Sequence, residues 1–206
     1  FRKDPEANPS KFSTSGKFEI YSEELARKVN LMGYGKIEPI PTYTPPVFGY
    51  EDTFKDWKKK EKGEYPYQVV TLKYMKRSHT MMDNEPLLSE AFESPVFINA
   101  QDAKKEGIVT GNTIMLTSRS GSTLRPVVVT QRVIPGVVVL LHGSWSKLDE
   151  KTGIDHGGAD NVLTTNVGTG QGTTGYNSIV VKVSKYSDTS VPDTQRSLRM
   201  VTFGGK

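Results

Sequence analysis

Several short apolar runs rich in β-branched residues dominate the middle of the chain: YQVVTL (67–72), PVFI (95–98), TIMLTS (113–118), LRPVVVT (124–130) and VIPGVVVLL (133–141). After a long gap another follows, NSIVVKV (177–183), with Ile179, Val181 and Val183 on one face. Runs of this length and composition read as strands, and the intervening turns TGN (110–112) and SGS (120–122) join them tightly. One helix interrupts the series. Asn99 can cap it by accepting from the backbone N–H of Asp102, Asp102 suits the third helical position, and Gly107 ends it. Five or six such strands would expose long unpaired edges if left open. Closure into a small, mainly β barrel removes the edges.

The flanks read differently. SGKFEIYS (15–22) alternates Phe18 and Ile20 with Lys17 and Glu19, as a short strand does. EELARKVNLM (23–32) fits one or two helical turns, stopped by Gly33 and Gly35. EPIPTYTPPVFGY (38–50) carries four prolines and is expected to be extended linker. DTFKDWKKKEKGE (52–64) reads as a solvated, charged helix. The expected organisation is an arm and Pro-rich linker over 1–63, a barrel over 64–186 and a tail over 187–206.

Composition excludes several functions. There are no cysteines among the 206 residues, which excludes a disulfide scaffold, a Cys-ligated zinc or iron–sulfur site and a thiol nucleophile within this chain. A net charge of +4 favours an anionic partner but is too mild to imply nucleic acid. No apolar run reaches the ~18 residues of a membrane span. The chain opens FRKDPEANPS, without an initiator Met or an apolar leader, and is expected to be a fragment.

Two regions carry candidate chemistry. From His142 to Tyr176 regular structure lapses, far beyond the ~15 residues usual for a structureless loop in a compact domain. Gly recurs there at 143, 153, 157, 158, 168, 170, 172 and 175, among Asp155, Asp160, Asn161, Thr164, Thr165, Asn166 and Gln171, with Asn177 just beyond. Glycines let backbone approach a flat or phosphorylated ligand, and amides and hydroxyls read hydrogen-bonding edges. LKYMKRSHT (72–80) places Lys73, Lys76, Arg77, His79 and Thr80 after a strand end, which suits phosphate or an anionic ring. His79, His142 and His156 lack metal-ligand spacing, so no metal site is expected. GTGQG (168–172) lacks the Lys-Ser/Thr ending of a Walker loop, and no G-x-S-x-G marks a hydrolase. Trp145 reads either as core or as a lid over a ring.

Five segments in order resemble the dimethyl sulfoxide reductase family of molybdopterin oxidoreductases: FRKDPEANPSKFSTSGKFEIYSEELA (1–26) with PIPTY (39–43), INAQDAKKEGIVTGNTI (98–114), VIPGVVVLLHGSW (133–145) and GIDHGGADNVLTTNVGTGQGTTGYNS (153–178). The respiratory dimethyl sulfoxide and trimethylamine N-oxide reductases are the most similar in wording. Asn112 stands where the family usually has Asp, a change expected to touch only the turn.

The resemblance implies a six-stranded double-psi β-barrel that forms the C-terminal, cofactor-binding part of a larger enzyme reducing an S- or N-oxide. It implies bis-(molybdopterin guanine dinucleotide) with molybdenum as cofactor in the full-length enzyme, and none tightly bound to this piece. It implies that Lys76, Arg77, His79, Thr80, Asn161, Thr164, Gln171 and Asn177 bind the cofactor, with no catalytic residue here. The implied partners are the remaining N-terminal domains and an iron–sulfur electron-transfer subunit, without nucleic acid or membrane insertion, on the extracytoplasmic face. The alternative is a freestanding barrel that binds a ligand or protein without redox chemistry. Segment 1–26 argues against it, because such a barrel has no use for an approach segment.

Overall fold

A computed structural model describes residues 17–33, 35–43, 45–168 and 175–187. They fall into two units, one of residues up to 46 with 167–175, the other of 47–166 and 176 onward.

In the first unit, α1 (Glu23–Leu31) forms as its sequence requires. Ser22 Oγ accepts from Leu25 N at 3.3 Å, Glu23 and Glu24 sit in the first turn, and Lys28 pairs with Glu24 at 2.6 Å. The Asn30 side chain then clamps Ile37, donating Nδ2 to its carbonyl at 3.1 Å and accepting its N–H at 2.7 Å. The expected strand over 15–22 is absent among its described residues, 17–22. Ser22 serves instead as the helix cap, and its own N–H goes to Pro39 O at 2.8 Å.

In the second unit, the expected charged helix over 52–64 is a small hairpin. A 3-10 turn (Tyr50–Thr53) leads into β1 (Phe54–Asp56), which pairs antiparallel with β2 (Glu61–Lys62). Lys60 turns the chain in the left-handed region, φ 57°. The lysines are not a solvated helix face: two of them cover rings, while Lys55 pairs with Glu61 and Lys59 with Asp56 within the hairpin. Lys60 Nζ lies 3.0 Å from the Trp57 centroid and Lys62 Nζ 3.9 Å from that of Phe54.

The barrel follows. Its strands are β3 (Tyr67–Leu72), β4 (Val96–Asn99), β5 (Thr113–Thr117), β6 (Ser122–Thr130), β7 (Val137–Leu141) and β9 (Ile179–Lys185), with the two-residue β8 (Ile154–Asp155) beside β6. They hydrogen-bond in the order β4-β7-β3-β9-β5-β6, and β6 pairs back onto β4, so the six-stranded barrel closes as expected. Two pairs are parallel, β3 with β7 and β4 with β6, and the others around the ring are antiparallel. Val69, Ile98, Ile114, Leu116, Val138 and Val181 fill the core.

The Asn99 cap forms, although its carbonyl accepts from Gln101 N at 2.7 Å rather than from Asp102. Asp102, inside α3 (Ala100–Lys105), turns away to take the Gly136 N–H at 2.6 Å. That contact fixes the Pro135–Gly136 turn, so β7 begins at Val137 rather than at 133. Asn112 keeps the acceptor an Asp would offer, taking the Val109 N–H at 3.1 Å. A second short helix, α2 (Pro86–Ala91), lies between β3 and β4. No helix among the described residues is long and apolar enough to cross a membrane.

Candidate functional site

Strand register explains why distant segments meet at one end of the barrel. β3 and β7 run parallel with Leu72 opposite Leu141, so both chains leave the barrel at the same end. His142 N donates to Leu72 O at 2.9 Å and carries the ladder one step further. β9 is antiparallel to β3 with Ile179 opposite Val69, so the residues before β9 reach that end too. There Thr71 Oγ1 donates to Asn177 Oδ1 at 3.2 Å. The result is a cleft of about 810 Å³ lined by Thr71, Leu72, Lys73, His79, His142, Asp160, Asn161, Thr164, Tyr176 and Asn177.

Most residues lining the cleft are polar, and several of their side chains are tied. Lys73 Nζ lies 3.3 Å from His79 Nε2, and the His79 and His142 rings meet edge to face at 5.5 Å. His142 Nδ1 lies 2.5 Å from Asp160 Oδ2, where the carboxylate accepts its N–H, and Asp160 Oδ1 takes the Gly143 N–H at 3.1 Å. His79 occupies the left-handed region at φ 52°. Its carbonyl oxygen is so close to Gly143 that a Cβ there would lie 1.8 Å away.

A second hollow of about 540 Å³ is lined by Thr80, Ser144, Trp145, Ser146, Ala159, Asn161 and Val162. Asn161 lines both spaces.

The loop that forms these walls is anchored by one face of β6. Period-two alternation puts Thr123, Arg125 and Val127 on the same side. Val127 enters the core, and the other two take the loop. Asp155, wholly buried, accepts from Thr123 Oγ1 (2.6 Å), Ser146 Oγ (3.1 Å) and the N–H groups of Lys147, Gly157 and Ala159 (2.6, 3.1 and 2.7 Å). Burial alone would raise its carboxyl, but the bonds from Thr123 and the backbone outweigh it and hold the pKa below the ordinary value.

Arg125, 1% exposed, donates to Gly158 O, Ser94 O and Oγ, Leu141 O and Ser144 Oγ. Burial, and then the neighbouring Arg77 charge, push its guanidinium down to about 10, against the pull of Asp160, Asp83 and Asp155.

The residues singled out from sequence divide into groups. His79, Asn161, Thr164 and Asn177 line the cleft, and Thr80 lines the adjoining hollow. Lys76 and Arg77 line neither: both are buried. Arg77 pairs with Asp83, donates to Ser94 Oγ at 2.6 Å and to His142 O at 3.1 Å, while Lys76 Nζ donates to Ser89 Oγ at 2.7 Å and lies 3.8 Å from Asp83. Their charge is used inside the protein, and Lys73 is the lysine that faces the cleft. Gln171 lies outside the described residues. Arg125 and Asp83 escaped the sequence reading. The signal for Arg125 was a lone cation inside an apolar strand, LRPVVVT.

The family model described as Molydopterin dinucleotide binding domain matches residues 67–180, the stretch from β3 to the start of β9. A probable dimethyl sulfoxide reductase chain of Escherichia coli, YnfF, is 38% identical over 169 residues, 80% of this chain and 20% of that protein. Trimethylamine-N-oxide reductase 1 of the same organism is 29% identical over 198 residues, 92% of this chain and 22% of that protein. The chain thus spans about a fifth of the length of the curated relatives it matches. Among solved structures, acetylene hydratase from Pelobacter acetylenicus superposes with a TM-score of 0.64 at 19% identity, over 84% of this chain and 24% of that one, and shares the fold.

Proposed function

The chain belongs to the molybdopterin dinucleotide binding domain family, and from that premise we propose that it is the C-terminal cofactor-holding part of a molybdenum oxidoreductase reducing an S- or N-oxide. The cofactor is bis-(molybdopterin guanine dinucleotide). The observation that carries this reading is the convergence of His79, Asn161, Thr164 and Asn177, from three separate segments, on one polar cleft at the end of the matched barrel. The names of the similar reductases support the substrate class.

The donor set fits such a group. Lys73, with His79 and His142 beside it, offers positive and hydrogen-bonding groups to phosphate. Asn161, Asn177 and Thr164 both donate and accept, which suits a nucleobase or pterin edge. Bound, the group would supply two-electron redox chemistry at its metal. This chain's residues orient the group and exclude water from its nucleotide end; they move no proton of the reaction. The metal ligand, the substrate funnel and an iron–sulfur partner belong to the rest of the enzyme, and the isolated 206-residue chain is inactive.

The test uses the complete polypeptide. Metal analysis and nucleotide release from the purified enzyme, with reduced-viologen turnover of dimethyl sulfoxide and trimethylamine N-oxide, should show molybdenum, guanine nucleotide and activity together. Full turnover by the 206-residue chain alone, or an active enzyme free of molybdenum, would overturn the reading.

A further inference from the structure

The second hollow holds an aromatic side chain whose support the cleft residues do not explain. Trp145 is 48% exposed, yet it is tied at two points. Its backbone N–H goes to Asp83 Oδ2 at 2.8 Å, and its indole Nε1 donates to Thr80 O at 2.7 Å. Asp83 is itself fixed by the buried cations Arg77 and Lys76. An indole N–H usually finds a protein partner when the ring is buried, and this one does so although the side chain is half exposed. Here the protein takes the polar end and leaves ring surface open to the hollow. Two buried cations and a carboxylate support that placement.

We propose that Trp145 is a stacking residue, its indole face receiving a planar fused heteroaromatic ring that carries the 2-amino-4-oxopyrimidine edge common to guanine and pterin. The inference rests on the dinucleotide-binding reading and adds to it a residue and a ring. The hollow, at about 540 Å³, falls within the ~300–1,000 Å³ of ordinary small-ligand sites. Around the ring lie groups that read such an edge. Ser144 Oγ accepts from Arg125 at 2.9 Å and keeps its own proton to donate, and the Asn161 amide offers both a donor and an acceptor. Because the indole is held before the ligand arrives, stacking requires no further ordering of that side chain.

The experiment follows indole emission. Trp57→Phe leaves Trp145 as the one tryptophan of the chain. The 206-residue protein is titrated with GMP, with neopterin, and with inorganic pyrophosphate as the ringless control; calorimetry measures affinity in parallel. The expected result is saturable quenching by GMP, neopterin or both, the two arms telling base from pterin, and none by pyrophosphate. Trp145→Ala should weaken binding at least about tenfold, ~1.4 kcal/mol. Trp145→Phe should hold affinity within about threefold, because its ring still stacks. A ring ligand that binds by calorimetry without altering emission, or equally well to Trp145→Ala, overturns the stack and leaves the dinucleotide reading intact. Equal quenching by pyrophosphate also overturns the stack. No saturable binding of either ring to the parent chain also overturns the stack, whereas the dinucleotide reading stands or falls on the molybdenum and guanine nucleotide content of the complete enzyme.

Discussion

Arg125 donates its Nε to the carbonyl oxygen of Gly158 at 2.7 Å, so a buried cation of β6 holds the cleft loop through its backbone. The same guanidinium reaches Ser94, Leu141 and Ser144, and Arg77 shares Ser94 Oγ with it. One side chain therefore ties together the entry to β4, the exit of β7 and the loop. Carbonyls and hydroxyls satisfy its donors, and no carboxylate contacts it among the described residues. Burial, and then the neighbouring Arg77 charge, lower its pKa, and the oriented carbonyl dipoles offset only part of that cost.

Replacing Arg125 with Met should therefore cost more than an ordinary core change. It strands several buried acceptors at once, each worth roughly 1–3 kcal/mol when unsatisfied. The expected loss is at least about 3 kcal/mol in denaturant unfolding at constant m. Arg125→Lys should recover only part, since an ammonium lacks the planar fork that spans these acceptors. Unchanged midpoints in both variants would show that the network carries no stability.

Asp155 makes a pH prediction with a definite sign. Its folded pKa lies below the ordinary carboxylate value of about 3.9. The contribution is therefore fully present above about pH 3.9 and is lost as pH falls through the depressed folded value. Asp155→Asn should cost roughly 2–3 kcal/mol at pH 7, because at least one of its donors would face an amide NH₂. The gap to the parent should narrow in acid, where the parent also loses its carboxylate. A gap that is constant from pH 7 to pH 2 would contradict the assignment.

Gly143 and Gly153 both have positive φ, 98° and 70°, yet they should respond differently to alanine. At Gly153 a Cβ meets nothing within 4 Å, so only backbone strain opposes it, about 1–2 kcal/mol. At Gly143 a Cβ would lie 1.8 Å from His79 O, which is backbone and cannot move aside without displacing the His79 turn. Gly143→Ala should lower the melting temperature far more than Gly153→Ala and disturb the His79 imidazole signals in NMR. Equal melting temperatures would refute the close packing of the two turns.

Barrel closure was legible because β-branched runs with tight turns leave few other options, and the loop because glycines crowd between two good strands. Other features were not legible, for physical reasons. In 52–64 a lysine-rich run was read as solvated helix, yet its aromatic neighbours Tyr50, Phe54 and Trp57 gave Lys60 and Lys62 rings to cover. Spacing along the chain does not show such pairing. Lys76 and Arg77 were read as cations facing a phosphate or anionic ring, but sequence does not reveal which way a side chain turns. Asp83 lies only a few residues on, and it draws both inward. Asn161, Thr164 and Asn177 were legible as a set because amides and hydroxyls concentrate in one loop and at its exit. That they face His79 depends on the parallel register of β3 with β7, which no local pattern encodes.

Asn161 and Asn177 provide the decisive test of the site in the complete enzyme. Asn161 lines both hollows, while Asn177 is held at the cleft by Thr71. If each amide pairs with a buried edge of the cofactor, its removal costs roughly 1–3 kcal/mol of binding. Asn161→Ala should therefore lower cofactor content and the melting temperature of the loaded enzyme. It should leave the cofactor-free form nearly unchanged, because Asn161 is exposed and its backbone carbonyl, which takes the Thr164 hydroxyl at 2.8 Å, is retained. Asn177→Ala should act in the same direction. The double variant should add to within a few tenths of a kcal/mol if the two amides touch separate parts of the cofactor, and fall short of additivity if they share one edge. Parental cofactor content and stability in both single variants would remove these amides from the binding surface.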